Sequence, residues 1–204
     1  MSVLRAWWIA IAVLLVASSA TTVCADDPES SALVYWPLQP GTTWVRTDLA
    51  GREWTVRMVR EDRLGGERMF VTEESIGGEV TTGDWLAIRN GRLMLVAVQQ
   101  STGGTPVSLP TPLTLWPSST ALGTRWSTHP APGSASCVID RQEEVTVPAG
   151  TFQALVVVCK TPISQTTDWR APRVGVVRTL VELSGRRPVV SELLRFVPGQ
   201  AADH

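Results

Sequence analysis

Apolar and polar positions alternate along this chain in short runs, and turn residues break the runs at regular intervals. Asp48-Leu49-Ala50-Gly51 separates Trp44–Thr47 from Glu53–Arg60, and Leu64-Gly65-Gly66 precedes Glu67–Glu74. Ile76-Gly77-Gly78 precedes Glu79–Thr82, and Asn90-Gly91 splits Trp85–Arg89 from Arg92–Gln99. Turns recur about every 13 residues, near the spacing of a β-meander. No long stretch has a helical period, and β-branched and aromatic residues fill the runs. The pattern predicts an all-β domain over residues 36–197, built as a curved antiparallel meander sheet. Residues 26–35 read as a polar lead-in and 198–204 as a flexible tail.

Asn90-Gly91 is the sharpest local signal, because a two-residue type I′ turn needs positive φ at both positions. It sets Ile88 opposite Leu93 and Leu86 opposite Leu95, with Trp85, Ala87, Met94 and Val96 on the other face. Both faces are apolar, so the hairpin is covered on both sides or walls a cavity. Trp85 and Met94 are the candidate cavity residues. Residues 103–135, rich in Pro, Ser, Thr and Gly, read as a long ordered crossing loop. Further hairpins are expected around Pro148-Ala149-Gly150-Thr151 and around Ser184–Pro188. A faint echo links Trp36-Pro37 … Gly41-Thr42-Thr43-Trp44 to Trp116-Pro117 … Gly123-Thr124-Arg125-Trp126. Two similar half-sheets would explain it, and so would a recurring way of starting a strand.

The N-terminus changes the picture of where this domain works. Arg5 precedes an apolar run from Ala6 to Ala17, then small residues and Val23-Cys24-Ala25, which is the order of a secretory signal peptide over residues 1–25. The run is short for a membrane span, which needs ~20 apolar residues. Lipid attachment at Cys24 is the competing reading; it fits less well, because Val23 stands where such signals carry a small residue. An exported, periplasmic or extracellular chain beginning at Asp26 is expected, with no transmembrane span. It keeps two cysteines, Cys137 and Cys159, which an oxidising compartment would pair. A plain four-residue loop sets Cys159 opposite Asp140, so a bond requires a bulge or a shorter loop. Two small buried thiols are the alternative.

Loss of Arg5 leaves 17 basic residues against 19 acidic, with no basic patch for nucleic acid. The catalytic search finds no nucleophile elbow, phosphate loop or metal-ligand spacing. The histidines are His129, in a Ser-Thr-His-Pro segment, and the terminal His204. Glu73-Glu74 and Glu143-Glu144 are adjacent on strands, point to opposite faces and cannot share a proton. No catalytic residue, metal site or cofactor is expected.

Three motifs occur in order: Trp36-Pro-Leu-x-x-Gly41-x-x-Trp44, Val145-Thr-Val-Pro-Ala-Gly-Thr-Phe152 and Trp169-x-Ala-Pro-x-Val-Gly175-x-Val-Arg178. Together they resemble exported bacterial β-proteins of the TapB-like and related domain-of-unknown-function type. The resemblance implies a half-open barrel and no particular activity. One departure is Arg173, where the pattern carries Gly. Seven tryptophans follow the signal segment, from Trp36 to Trp169. They pack a core or line a mouth for an apolar or lipid-like ligand. A binding protein, an envelope interaction module and an enzyme of scattered residues are the competing classes, with the enzyme least supported.

Overall fold

The computed structural model describes residues 28–100, 103–128 and 134–200. The expected signal segment over residues 1–25, with Cys24, and His129 and His204 lie outside them. A helix, α1 (Pro28–Tyr35), precedes twelve strands. The first six are β1 (Thr43–Asp48), β2 (Glu53–Leu64), β3 (Glu67–Ile76), β4 (Glu79–Arg89), β5 (Arg92–Gln100) and β6 (Val107–Trp116). The second six are β7 (Arg125–Ser127), β8 (Ser136–Val147), β9 (Gly150–Lys160), β10 (Ser164–Ala171), β11 (Gly175–Leu183) and β12 (Val189–Val197).

All belong to one antiparallel sheet, ordered β6-β5-β4-β3-β2-β1-β12-β11-β10-β9-β8-β7. Neighbours in sequence pair, β1 and β12 close the two halves together, and β6 and β7 form the edges. The sheet curls until those edges approach. There the Thr114 N–H donates to the Thr128 carbonyl at 2.6 Å and the Trp126 indole N–H to the Thr114 carbonyl at 3.3 Å. The Trp116 and Trp126 rings lie 6.3 Å apart behind them. The result is the expected curved meander, a barrel with one unsealed seam.

Alternation explains which side faces in. Met58, Leu93, Trp116, Ile139 and Leu193 are fully buried inside. Arg57, Glu144, Lys160, Glu182 and Arg195 are exposed. A membrane-spanning barrel shows the reverse, an apolar band toward lipid. Among the described residues no helix is long and apolar enough to cross a membrane.

The faint echo in the sequence is a structural repeat. Gly41 and Gly123 both take positive φ, 88° and 83°, at the bend before β1 and β7. The Gly41 N–H donates to the Met58 carbonyl and Gly123 to Ile139, at 2.8 and 2.7 Å. The Met58 and Ile139 N–H groups donate back to Thr42 and Thr124. A bulge follows each of these partners. Farther on, Asp84-Trp85-Leu86-Ala87 in β4 matches Asp168-Trp169-Arg170-Ala171 in β10, and directly after each tryptophan the partner strand bulges, at Val96 in β5 and Val177 in β11. Such bulges bend the sheet at equivalent places in each half.

The Asn90-Gly91 turn has φ of 50° and 71°, with Ile88 opposite Leu93 and Leu86 opposite Leu95 as expected. The cysteines form a disulfide, and both devices named above are needed. The β8–β9 turn is the shorter Val147–Gly150 register, and the bulge at Asp140 shifts the pairing by one more residue, so Cys137 faces Cys159. Closing a loop of this size contributes about 3 kcal/mol by chain entropy.

Three expectations are corrected. The lead-in holds α1, whose Ala32 is fully buried and whose Leu33 and Tyr35 pack on the core. A single helical turn or two is too short for periodicity to reveal. The crossing loop 103–135 contains β6 and β7. Pro110 and Pro112 fall where the β5–β6 pairing skips from Ser108 to Leu113, at an edge that tolerates missing N–H groups. The start of the tail is fixed: the Gly199 N–H donates to the buried Thr42 hydroxyl at 3.0 Å. A Cβ there would stand 2.5 Å from the Pro40 carbonyl oxygen.

Candidate functional site

The barrel interior is filled unevenly. Toward α1 it is solid, with Tyr35 and Trp116 ring centroids 5.1 Å apart. Above this plug is a cavity of about 380 Å³. Trp36 and Leu38, from the segment between α1 and β1, form its floor, and Trp44, Trp54, Val56 and Leu86 form apolar walls. Trp54, Glu74 and Ser191 are half-buried and close to the β1–β2, β3–β4 and β11–β12 turns, so the cavity opens toward that end.

One wall is ionic. Arg46 on β1 points inward because the alternation of that strand also buries Trp44. Its Nη1 donates to the Val176 carbonyl at 2.6 Å and its Nη2 to the Ser191 hydroxyl at 3.1 Å. Asp168 accepts from Arg170 Nη2 and from the Thr179 hydroxyl, both at 2.8 Å. The Arg170 guanidinium lies 4.6 Å from the Trp36 ring and 5.3 Å from the Trp116 ring. Its Nε and Nη1 have no hydrogen-bond acceptor and rest against those indole faces. Burial pushes both guanidinium groups below the ordinary arginine value, and Asp168 pulls each back up.

The opposite wall carries Thr72 and Glu74 on β3 and Asp84 on β4. Burial pushes the Asp84 carboxyl above the usual aspartate range, and the nearby Glu74 charge adds to it. The cavity thus offers indole surface for an apolar body, and both donors and acceptors for a polar end. Among the described residues no group of three His, Cys, Asp or Glu side chains could hold a metal ion.

Trp85 and Met94 do not line this cavity. They share the face expected of them, but that face is the outside of the barrel. There Met69, Val71, Trp85, Ala87, Val96 and Ala97 form a second buried cluster, with Val59, Leu64 and Met94 against it. The Arg60 guanidinium stands 5.5 Å over the Trp85 ring. Leu86, their neighbour on the opposite face, is the residue that reaches the cavity. Sequence reasoning missed Arg46, Asp84, Asp168 and Arg170. The repeated Asp-Trp-x-Ala in β4 and β10 is the signal that would have found two of them.

No family model and no curated protein matches the chain. The TapB-like resemblance therefore rests on its motifs alone. Two solved structures are similar in outline. One is a candidate lipoprotein from Parabacteroides distasonis, 16% identical, with a TM-score of 0.42 over 80% of this chain and 98% of that one. The other is a candidate exported protein with a YmcC-like fold from Bacteroides fragilis, 14% identical, with a TM-score of 0.40 over 78% of this chain and 96% of that one. At such scores the likeness carries nothing about function.

Proposed function

We propose that this protein is an exported, non-enzymatic binding protein of the cell envelope whose barrel holds an apolar or lipid-like ligand. The observation that carries the reading is the cavity of about 380 Å³, with Trp36, Trp44 and Trp54 on its surface. It is left open in a barrel whose other end is packed solid. Ligand pockets start at about 300 Å³ and combine apolar surface with placed polar groups. Here indole and aliphatic surface from Trp36, Leu38, Trp44, Trp54, Val56 and Leu86 faces the charged side chains of Arg46, Glu74, Asp84, Asp168 and Arg170. The secretory pattern of residues 1–25 and the Cys137–Cys159 disulfide support an oxidising compartment. Periplasmic or extracellular residence without lipid at Cys24 is the preferred form.

Tryptophan fluorescence titrated with fatty acids, phospholipids and acylated peptides tests the reading. A saturable spectral shift is expected with one of these classes, and Trp54→Leu should reduce it while leaving the melting transition in place. No shift with any class would overturn ligand binding. A second reading, an envelope interaction module, draws on the seam, where β6 and β7 leave strand edges without a partner strand.

A further inference from the structure

The up-and-down topology sorts the connections between strands into two ends. The β1–β2, β3–β4, β5–β6, β7–β8, β9–β10 and β11–β12 connections lie at the mouth end of the barrel, and residues 129–133 of β7–β8 are outside the described residues. The other five each carry a large aliphatic side chain in water, in or beside the turn: Leu49, Ile76, Val107, Ile163 and Val189, exposed by 77, 54, 65, 71 and 51%. The tight turns at the other end, after β2, β4, β8 and β10, expose none. Val34 on α1, Leu122 in the β6–β7 connection and Val197 are the exposed aliphatics there. Single exposed aliphatics are ordinary. One on five of the six connections around one mouth is a pattern.

Charge points to what meets this rim. The connections at the mouth end contain Arg52, Arg186 and Arg187; the carboxylates beside them, Asp48, Glu53 and Glu79, stand at strand ends, and Asp48 pairs with Arg52. The Arg52 side chain is 82% exposed even while it bridges Asp48. Separate aliphatic tips with arginines beside them suit a soft anionic surface into which each side chain dips alone.

We propose that the mouth end of the barrel docks on an anionic phospholipid bilayer. The aliphatic tips enter the interface between headgroups and acyl chains, and Arg52, Arg186 and Arg187 meet lipid phosphates. This surface would set the cavity mouth against the membrane, but it does not depend on the cavity holding a ligand.

Flotation with phosphatidylethanolamine–phosphatidylglycerol vesicles, using protein purified as its host exports it, tests the proposal. Leu49→Ser/Ile163→Ser should reduce vesicle partitioning by about tenfold or more. Arg186→Gln/Arg187→Gln should lose about tenfold on the mixed vesicles and little on pure phosphatidylethanolamine. Leu122→Ser, at the far end, should bind as the parent does. Absence of flotation, an unchanged double serine variant, or an equal loss in Leu122→Ser would overturn the proposal. So would a change in self-association with vesicle binding intact, since the rim would then be a contact between copies. The fluorescence titration with monomeric fatty acid reads the cavity separately, so either idea can fail alone.

Discussion

The two halves of the barrel share one plan and differ in what they do with it. Asp84 and Asp168 occupy equivalent positions facing the same cavity. In the C-terminal half the next inward residue is Arg170, and Asp168 is tied to it and to Thr179. In the N-terminal half the equivalent residue is Leu86, and Asp84 faces Glu74 with its carboxyl pushed up by burial. The tryptophans that follow diverge on the outer face. Trp85 is buried in an apolar cluster, 5% exposed, with its indole N–H unpartnered. Trp169 is half-buried; its indole N–H donates to Glu143, and the Arg178 guanidinium lies 5.6 Å from its ring. A duplicated frame has thus been filled twice, once with a thick apolar wall and once with an ionic one. The frame dictates where side chains point, and the substitutions dictate the chemistry.

The sharpest way to break this comparison is to truncate both tryptophans. Trp85→Ala should cost about 4 kcal/mol, because it empties a buried cluster, whereas Trp169→Ala should cost less than about 2. Urea unfolding of the oxidised protein gives both values, and equal losses would mean that the outer clusters are not distinct. The aspartates come next. Asp168→Ala should destabilise by about 3 kcal/mol, since it strands the buried Arg170 charge. Asp84→Asn should be neutral or stabilising at pH 7, with a pH signature. A carboxyl raised in the folded state contributes stability that is full below the unfolded aspartate value and is lost as pH rises through the folded one. Parent stability, followed by urea unfolding upward from about pH 4, should therefore fall relative to Asp84→Asn. A constant difference across that range would remove Asp84 from the account. The smallest effect concerns the turns after the two Asp-Trp-x-Ala segments. Asn90 and Arg173 both sit at positive φ, 50° and 65°. Asn tolerates that conformation and Arg pays for it, so Arg173→Gly should gain about 1 kcal/mol. The Arg173 N–H bond to the Val34 carbonyl survives the change, so a loss of stability would mean that the side chain itself is needed.

The meander, the Asn90-Gly91 register and the cysteine pair were legible because each follows from period-two alternation and short-range turn chemistry. Arg173, singled out in the sequence as a place where Gly is expected, does stand at positive φ. What alternation does not encode is which face of a two-sided apolar hairpin looks inward. Trp85 and Leu86 are equally apolar, and only closure of the sheet through β1 and β12 decides between them. Burial of Arg46 and Arg170 was hidden for the same reason. Isolated arginines on strands read as solvent-facing until the strands across the barrel enclose them. β6 was masked by its prolines, which an edge strand accepts and a central strand would not.

The first and last strands lie in the middle of the sheet, and the edges of the sheet are the two strands at the middle of the sequence, β6 and β7. Ten strand pairings join sequence neighbours, while the β1–β12 pairing links residues as far apart as Thr43 and Val197. Each half can therefore assemble from local hairpins at small loop-closure cost, and only the last pairing brings together distant segments. On this topology, folding is expected to proceed as a docking of two preformed meanders, with the encounter of β1 and β12 slower than any hairpin and the 117–124 connection as the tether between the halves.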